Sequence, residues 1–192
     1  MMILIGDDEN YMDDKELKQE QVRMHKDFFD KCDCAIENGF YLEAIFLEYA
    51  AIESRLEIIC GVLGLPCNKE LPFSERKNVN ISQRILCIKE TRNKHPEVFK
   101  RSKIKDGFFY KKQFLSAWIT KRNTYIHGLY KNAFEYKSRK SECKEIAING
   151  REYARLLYNE AARLRRLSKS HPELFVDICF TKNNGECYKK NN

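Results

Sequence analysis

The run Arg122-Asn123-Thr124-Tyr125-Ile126-His127 puts a fixed cation, a polar amide and a titratable imidazole within two turns of one helix. These are groups that handle a phosphodiester. A guanidinium matches phosphate oxygens with a two-pronged donor set, and an imidazole takes or gives a proton near neutral pH. On an α-helix Asn123 and His127 share a face, whereas Arg122 and His127 stand roughly 140° apart round the cylinder and ~7.5 Å apart along it. One copy is therefore an incomplete site. Either long side chains converge across a groove, or a second copy of the segment faces the first.

The surrounding charge suits a polyanion. Net charge is +7, and residues 100 to 122 hold eight lysines and arginines against one acid, Asp106, as much excess as the whole chain carries. A basic stretch leading into the Arg122 helix would concentrate a nucleic acid where the imidazole sits, and Lys111, Lys112 and Lys121 are the candidate RNA contacts. A solvated surface of ordinary lysines is the plainer reading of the same run.

Apolar residues recur at spacings of three and four throughout, and no alternating β-branched stretch is long enough for a strand, so the expectation is an all-α chain: one up-down bundle of about five helices. A first helix is expected from about Lys15 to Asn38, with Leu17, Met24, Phe28, Cys32, Ala35 and Ile36 inward and Asn38-Gly39 as its stop. A second, from about Tyr41 to Leu63, is the most apolar and belongs at the bundle centre. A third spans about Ile81 to Lys94, carries Ile85, Leu86 and Ile88, and ends at Pro96.

The fourth, from about Phe108 to Tyr130, carries the chemistry. Leu115, Trp118, Ile119, Ile126 and Leu129 line one side of it, and Arg122 falls on that same stripe. A charge there needs a partner or a ligand, and Glu53 of the second helix is the candidate structural partner. A polar connection from Lys131 to Ile148 is expected to lead into a last helix capped by Asn149, with Glu152 closing a capping box. Its outer face would show Arg151, Arg155, Arg163, Arg165, Arg166 and Lys169. The segments His95-Pro96-Glu97-Val98-Phe99 and His171-Pro172-Glu173-Leu174-Phe175 read as the same helix-stop device used twice, with His25, His95 and His171 as surface or turn histidines.

Composition narrows the class. A chain of 192 residues with 43% apolar content suffices for one core, so a single domain is expected, with a core over about 15–178 and flexible ends at 1–14 and 181–192. No stretch reaches the ~20 uncharged residues of a membrane span, and the start lacks the features of a secretory leader, so a soluble cytoplasmic protein without a membrane partner is expected. The eight cysteines contain no CxxC pair. They read as small apolar helix residues, the loose set His25, Cys32 and Cys34 is too sparse for zinc, and neither a metal nor another cofactor is expected.

Arg122-Asn123 followed after three residues by His127, preceded by Trp118 and followed by Gly128-Leu129, resembles the signature of the HEPN superfamily of helical domains. The second-helix run Ala51-Ile52-Glu53-Ser54-Arg55-Leu56 is similar to the helix such domains set against the motif, and the likeness spans about residues 20 to 175. The resemblance implies a metal-independent endoribonuclease of the toxin or antiphage kind. Arg122, Asn123 and His127 would be catalytic, a homodimer would form the composite active site, and a cognate antitoxin or regulatory protein would be a further partner. Some toxins of the family carry a tyrosine two residues after the histidine that an antitoxin modifies; Leu129 stands there in this chain, so that regulation is not expected. The alternative within the same resemblance is a helical dimer without catalysis that binds RNA or a protein partner.

Overall fold

The computed structural model describes residues 14–65, 80–104, 108–109, 115–131 and 139–180. All of the regular structure among them is helical. Five long helices, α1 (Asp14–Glu37), α2 (Tyr41–Val62), α3 (Ile81–Lys94), α5 (Leu115–Lys131) and α6 (Lys140–Ser170), are joined by two short ones, α4 (Pro96–Phe99) and α7 (Val176–Phe180). The expected flexible ends, Leu17 and the Lys131–Ile148 connection up to 138 lie outside the described backbone or side chains.

The centre is α2, as its composition dictates. Ile45, Ile52, Leu56, Ile59 and Leu63 are fully buried, each worth roughly 1.5–3 kcal/mol of apolar transfer. It packs on α1, α3 and, most extensively, α6. One continuous core runs from Ala35 of α1 to Ile178 of α7. The turn from α1 into α2 is forced by Gly39, whose φ of 76° few other residues adopt. There Phe40 N–H donates to Ala35 O at 2.8 Å and Gly39 N–H to Ile36 O at 3.1 Å, closing the helix end.

Helix α3 carries a true capping box: Gln83 N–H donates to Asn80 Oδ1 and Asn80 N–H to Gln83 Oε1, both at 2.9 Å. The box expected at Asn149 and Glu152 does not exist, because α6 starts nine residues earlier, at Lys140. The polarity that reads as a loop is one exposed face; Cys143, Ile146, Ala147 and Gly150 turn inward at helical spacing. Gly150 is there for close approach: a Cβ at that position would lie 2.3 Å from Glu48 Oε2 and 2.6 Å from the Trp118 ring. Three helices, α2, α5 and α6, thus meet at one residue without a side chain.

Other inward assignments need correction. Met24 and Leu86 are exposed at the surface. Arg151 is not on an outer face: it is buried, with Nε and Nη2 donating to the Asp33 carboxylate at 2.6 and 2.5 Å and its guanidinium 4.3 Å over the Phe29 ring. Arg163 is likewise engaged, by Glu160 and by Val98 O. Arg155, Arg165, Arg166 and Lys169 remain exposed. The two His-Pro-Glu segments behave as expected. His95 N–H and His171 N–H each close the preceding helix at 2.8 Å, and Phe99 and Phe175 fold back into the core.

Candidate active site on α5

Helix α5 begins at Leu115 rather than Phe108. Phe108 and Phe109 form a buried turn instead, packed edge to face at 5.1 Å with Phe108 against Tyr153 of α6 at 5.4 Å. The aromatic pair seals the core ahead of the helix, and the helical period starts only after it.

Two anchors fix how α5 is rolled. Trp118 Nε1 donates to Ile146 O at 2.7 Å, and Tyr125 Oη donates to Arg139 O at 2.9 Å. Both acceptors are main-chain groups at the start of α6, so the anchors sit one turn before and one turn after Arg122 on a common side. Burial, with the Cys143 thiol adding to it, raises the Tyr125 phenol well above its ordinary range and keeps it a donor.

With that roll, Arg122 points at α2. Its guanidinium lies 4.0 Å from the centre of the Tyr49 ring and 5.6 Å from that of Phe46. Nη1 donates to Asn123 Oδ1 at 2.8 Å, while Nε is buried with no hydrogen-bond partner among the described residues. Glu53, the carboxylate expected to neutralise it, belongs to Arg84 at 3.6 Å. Arg122 is therefore half-buried on an aromatic shelf with no described carboxylate beside it. The stripe position meant for an apolar residue is filled by the flat face of a cation, which an electron-rich ring accepts.

The remaining residues divide. Asn123 is half-buried and joined to Arg122; His127, four residues on, is exposed on the same flank, with no partner among the described residues. Lys121 lies about 120° round the helix from His127 and pairs with Glu145 of α6 at 3.5 Å, both side chains 63% exposed. It edges a shallow groove of about 340 Å³ lined by Thr120, Thr124, Tyr125 and Arg139, on the flank away from His127. Lys111 and Lys112, and the side chains of Leu129 and Tyr130, lie outside the described residues. Among the described residues no cluster of histidine, cysteine and carboxylate groups could hold a metal ion, and no helix is long and apolar enough to cross a membrane.

Sequence reasoning missed the shelf itself. Phe46 and Tyr49 stand three apart on α2, and an aromatic pair facing an arginine on a neighbouring stripe was the available signal. It also misplaced His25, which is no surface histidine: it is half-buried on α1 against Arg55 and Tyr158. Comparison of the chain with protein-family models, with curated proteins and with solved structures finds no match.

Proposed function

We propose that the chain is a metal-independent endoribonuclease of the HEPN type, acting as a homodimer in which two copies of α5 face one RNA strand. The observation that carries this reading is Arg122: a half-buried guanidinium without a described carboxylate partner, tied to Asn123 and flanked by an exposed imidazole. A cation placed so costs stability unless an anion completes it, and a phosphate is the anion this geometry fits. The ribose 2′-hydroxyl attacks the adjacent phosphorus, the bond to the 5′-oxygen breaks, and a 2′,3′-cyclic phosphate and a free 5′-hydroxyl remain. His127 of one copy takes the 2′-hydroxyl proton and His127 of the other supplies one to the leaving oxygen. Arg122 holds the non-bridging oxygens as charge builds, and Asn123 keeps that guanidinium oriented. Phe46, 47% exposed beside Arg122, gives the second copy apolar area to cover. Roles as a toxin or antiphage effector in the cytoplasm, and an antitoxin as partner, belong to the same reading.

Incubating the pure chain with end-labelled RNA in EDTA tests it. Cyclic-phosphate ends are expected; cleavage that chelator abolishes would sink the mechanism. A second reading, an RNA- or protein-binding dimer without catalysis, is favoured by one fact: no described residue orients the His127 ring. RNA retained in a gel shift but never cut selects that reading.

A further inference from the structure

On the side of α2 turned away from Tyr49, helices α1, α2 and α6 enclose a cleft of about 470 Å³. Its floor holds Arg55, a cation with only 7% of its surface exposed. None of the described contacts of Arg55 is a carboxylate. One of its guanidinium nitrogens lies 2.8 and 2.9 Å from the two ring nitrogens of His25, so the imidazole is the polar group it rests against. Its central carbon stands 5.0 Å over the Tyr158 ring. Arg165 lines the same cleft from α6 and is close enough that its charge, after burial and Arg55, holds the His25 imidazolium off. Burial and Arg165 both act against the Arg55 cation as well. The lining includes one carboxylate, Glu57, and it has an interaction of its own.

A buried arginine set against an imidazole that burial and its own charge hold neutral, with a second arginine lining the same cleft, is an arrangement that an anion relieves. The rest of the lining is of a different character: Phe28, Phe29, Ile58 and Met24 form an apolar wall, with Met24 63% exposed at the rim, and Ser54 adds a hydroxyl. A volume of this order takes a small organic ligand, and rings lining the same cleft as two guanidinium forks suit a flat aromatic body carrying a phosphate.

We propose that this cleft is a second binding site, distinct from the Arg122 surface, which takes a nucleotide: its phosphate between Arg55 and Arg165 and its base against Phe28 and Tyr158. The source of that chemistry is either a free mononucleotide or the phosphorylated end of an RNA strand. The site does not depend on the chain cutting RNA.

The test is calorimetric titration of the full chain with adenosine monophosphate, inorganic phosphate and adenosine, with the His25 ring protons followed by NMR. Adenosine monophosphate is expected to bind saturably and to shift the His25 signals, with phosphate and adenosine each weaker by about tenfold or more, since each keeps only one of the two halves. Arg165→Ala removes an exposed side chain, so it should weaken adenosine monophosphate about tenfold without moving the melting temperature. His127→Ala should leave the binding unchanged. A 5′-phosphorylated oligonucleotide that competes assigns the cleft to strand ends; failure to compete assigns it to free nucleotides. Absence of saturable binding at about 10 mM ligand, equal binding in Arg165→Ala, or binding lost in His127→Ala each overturns the proposal.

Discussion

An arginine stacked on a tyrosine gains about 0.5–2 kcal/mol from the ring, and the Nε of Arg122 is buried without a partner among the described residues, so the proposed role is tested first at this residue. Arg122→Ala should cut RNA cleavage by about 10²-fold and lower the melting temperature modestly; Arg122→Lys should keep the fold and lose most of the rate, because an ammonium lacks the two-pronged donor geometry. His127→Ala should cost about 10²-fold or more with an unchanged melting curve, since the side chain is exposed. Full activity in that variant removes His127 from the chemistry. Elsewhere the titrating residue to watch is Glu48, which has no exposed surface and no hydrogen-bond partner among the described residues. Burial pushes its carboxyl up from 4.5 to about 9, and Arg151 cannot reverse this because Asp33 already occupies it. The folded state thus holds a proton the unfolded chain releases. Its contribution is fully present below pH 4.5 and fades as pH rises from there towards 9. Glu48→Gln should flatten that part of the stability profile, measured by urea unfolding at several pH values. Among these residues the sequence showed Arg122 as an anomaly on an apolar stripe, but not what neutralises it. Glu53 and Tyr49 share one face of α2, and only the side-chain positions tell that Glu53 turns to Arg84.

Helix α6 positions the motif helix more than α2 does, through main-chain acceptors that no side-chain pattern advertises. Trp118 and Tyr125 reach Ile146 O and Arg139 O, and both acceptors lie in the stretch that sequence reading treats as a loop. The misreading has a physical source. Asn-Gly is a strong turn and cap signal in isolation, and a glycine selected for close packing looks the same as one selected for its backbone freedom. The stripe Cys143, Ile146, Ala147 was legible all along, though outweighed by five charged neighbours. Two substitutions separate the two roles of glycine. Gly61→Ala, with nothing within 4 Å of the added carbon, should stabilise by roughly 0.5–1 kcal/mol through helix propensity alone. Gly150→Ala, with Trp118 and Glu48 in the way, should destabilise by about 1–3 kcal/mol despite the same propensity gain. Thermal unfolding of the pair checks both; a stabilised Gly150→Ala would mean that α5 and α6 are not held as close as described. Trp118→Phe should then loosen the register of α5, costing about 1 kcal/mol for the lost bond and a larger factor in any cleavage rate.

At the scale of the molecule, the helical class and the central place of α2 followed from apolar periodicity, which survives single-residue errors because a stripe is redundant. The placement of the cations of α6 did not follow, since net charge carries no geometry: Arg151 turned inward to Asp33, and Arg163 is held by Glu160. If the cleavage chemistry needs two imidazoles, activity per chain should fall on dilution in step with dissociation measured by sedimentation, and Phe46→Asp should weaken the dimer and lower the activity together. A fully active monomer would rule out the shared site. The cysteines add a practical consequence. Of the five described, only Cys34 is exposed; Cys32, Cys60, Cys87 and Cys143 are buried, and burial pushes the Cys32 thiol up to about 12. An alkylating reagent should therefore modify Cys34 at once and Cys32, Cys60, Cys87 and Cys143 only when the bundle opens, so mass spectrometry of the peptides that carry these five clocks that opening helix by helix, without any probe being engineered in.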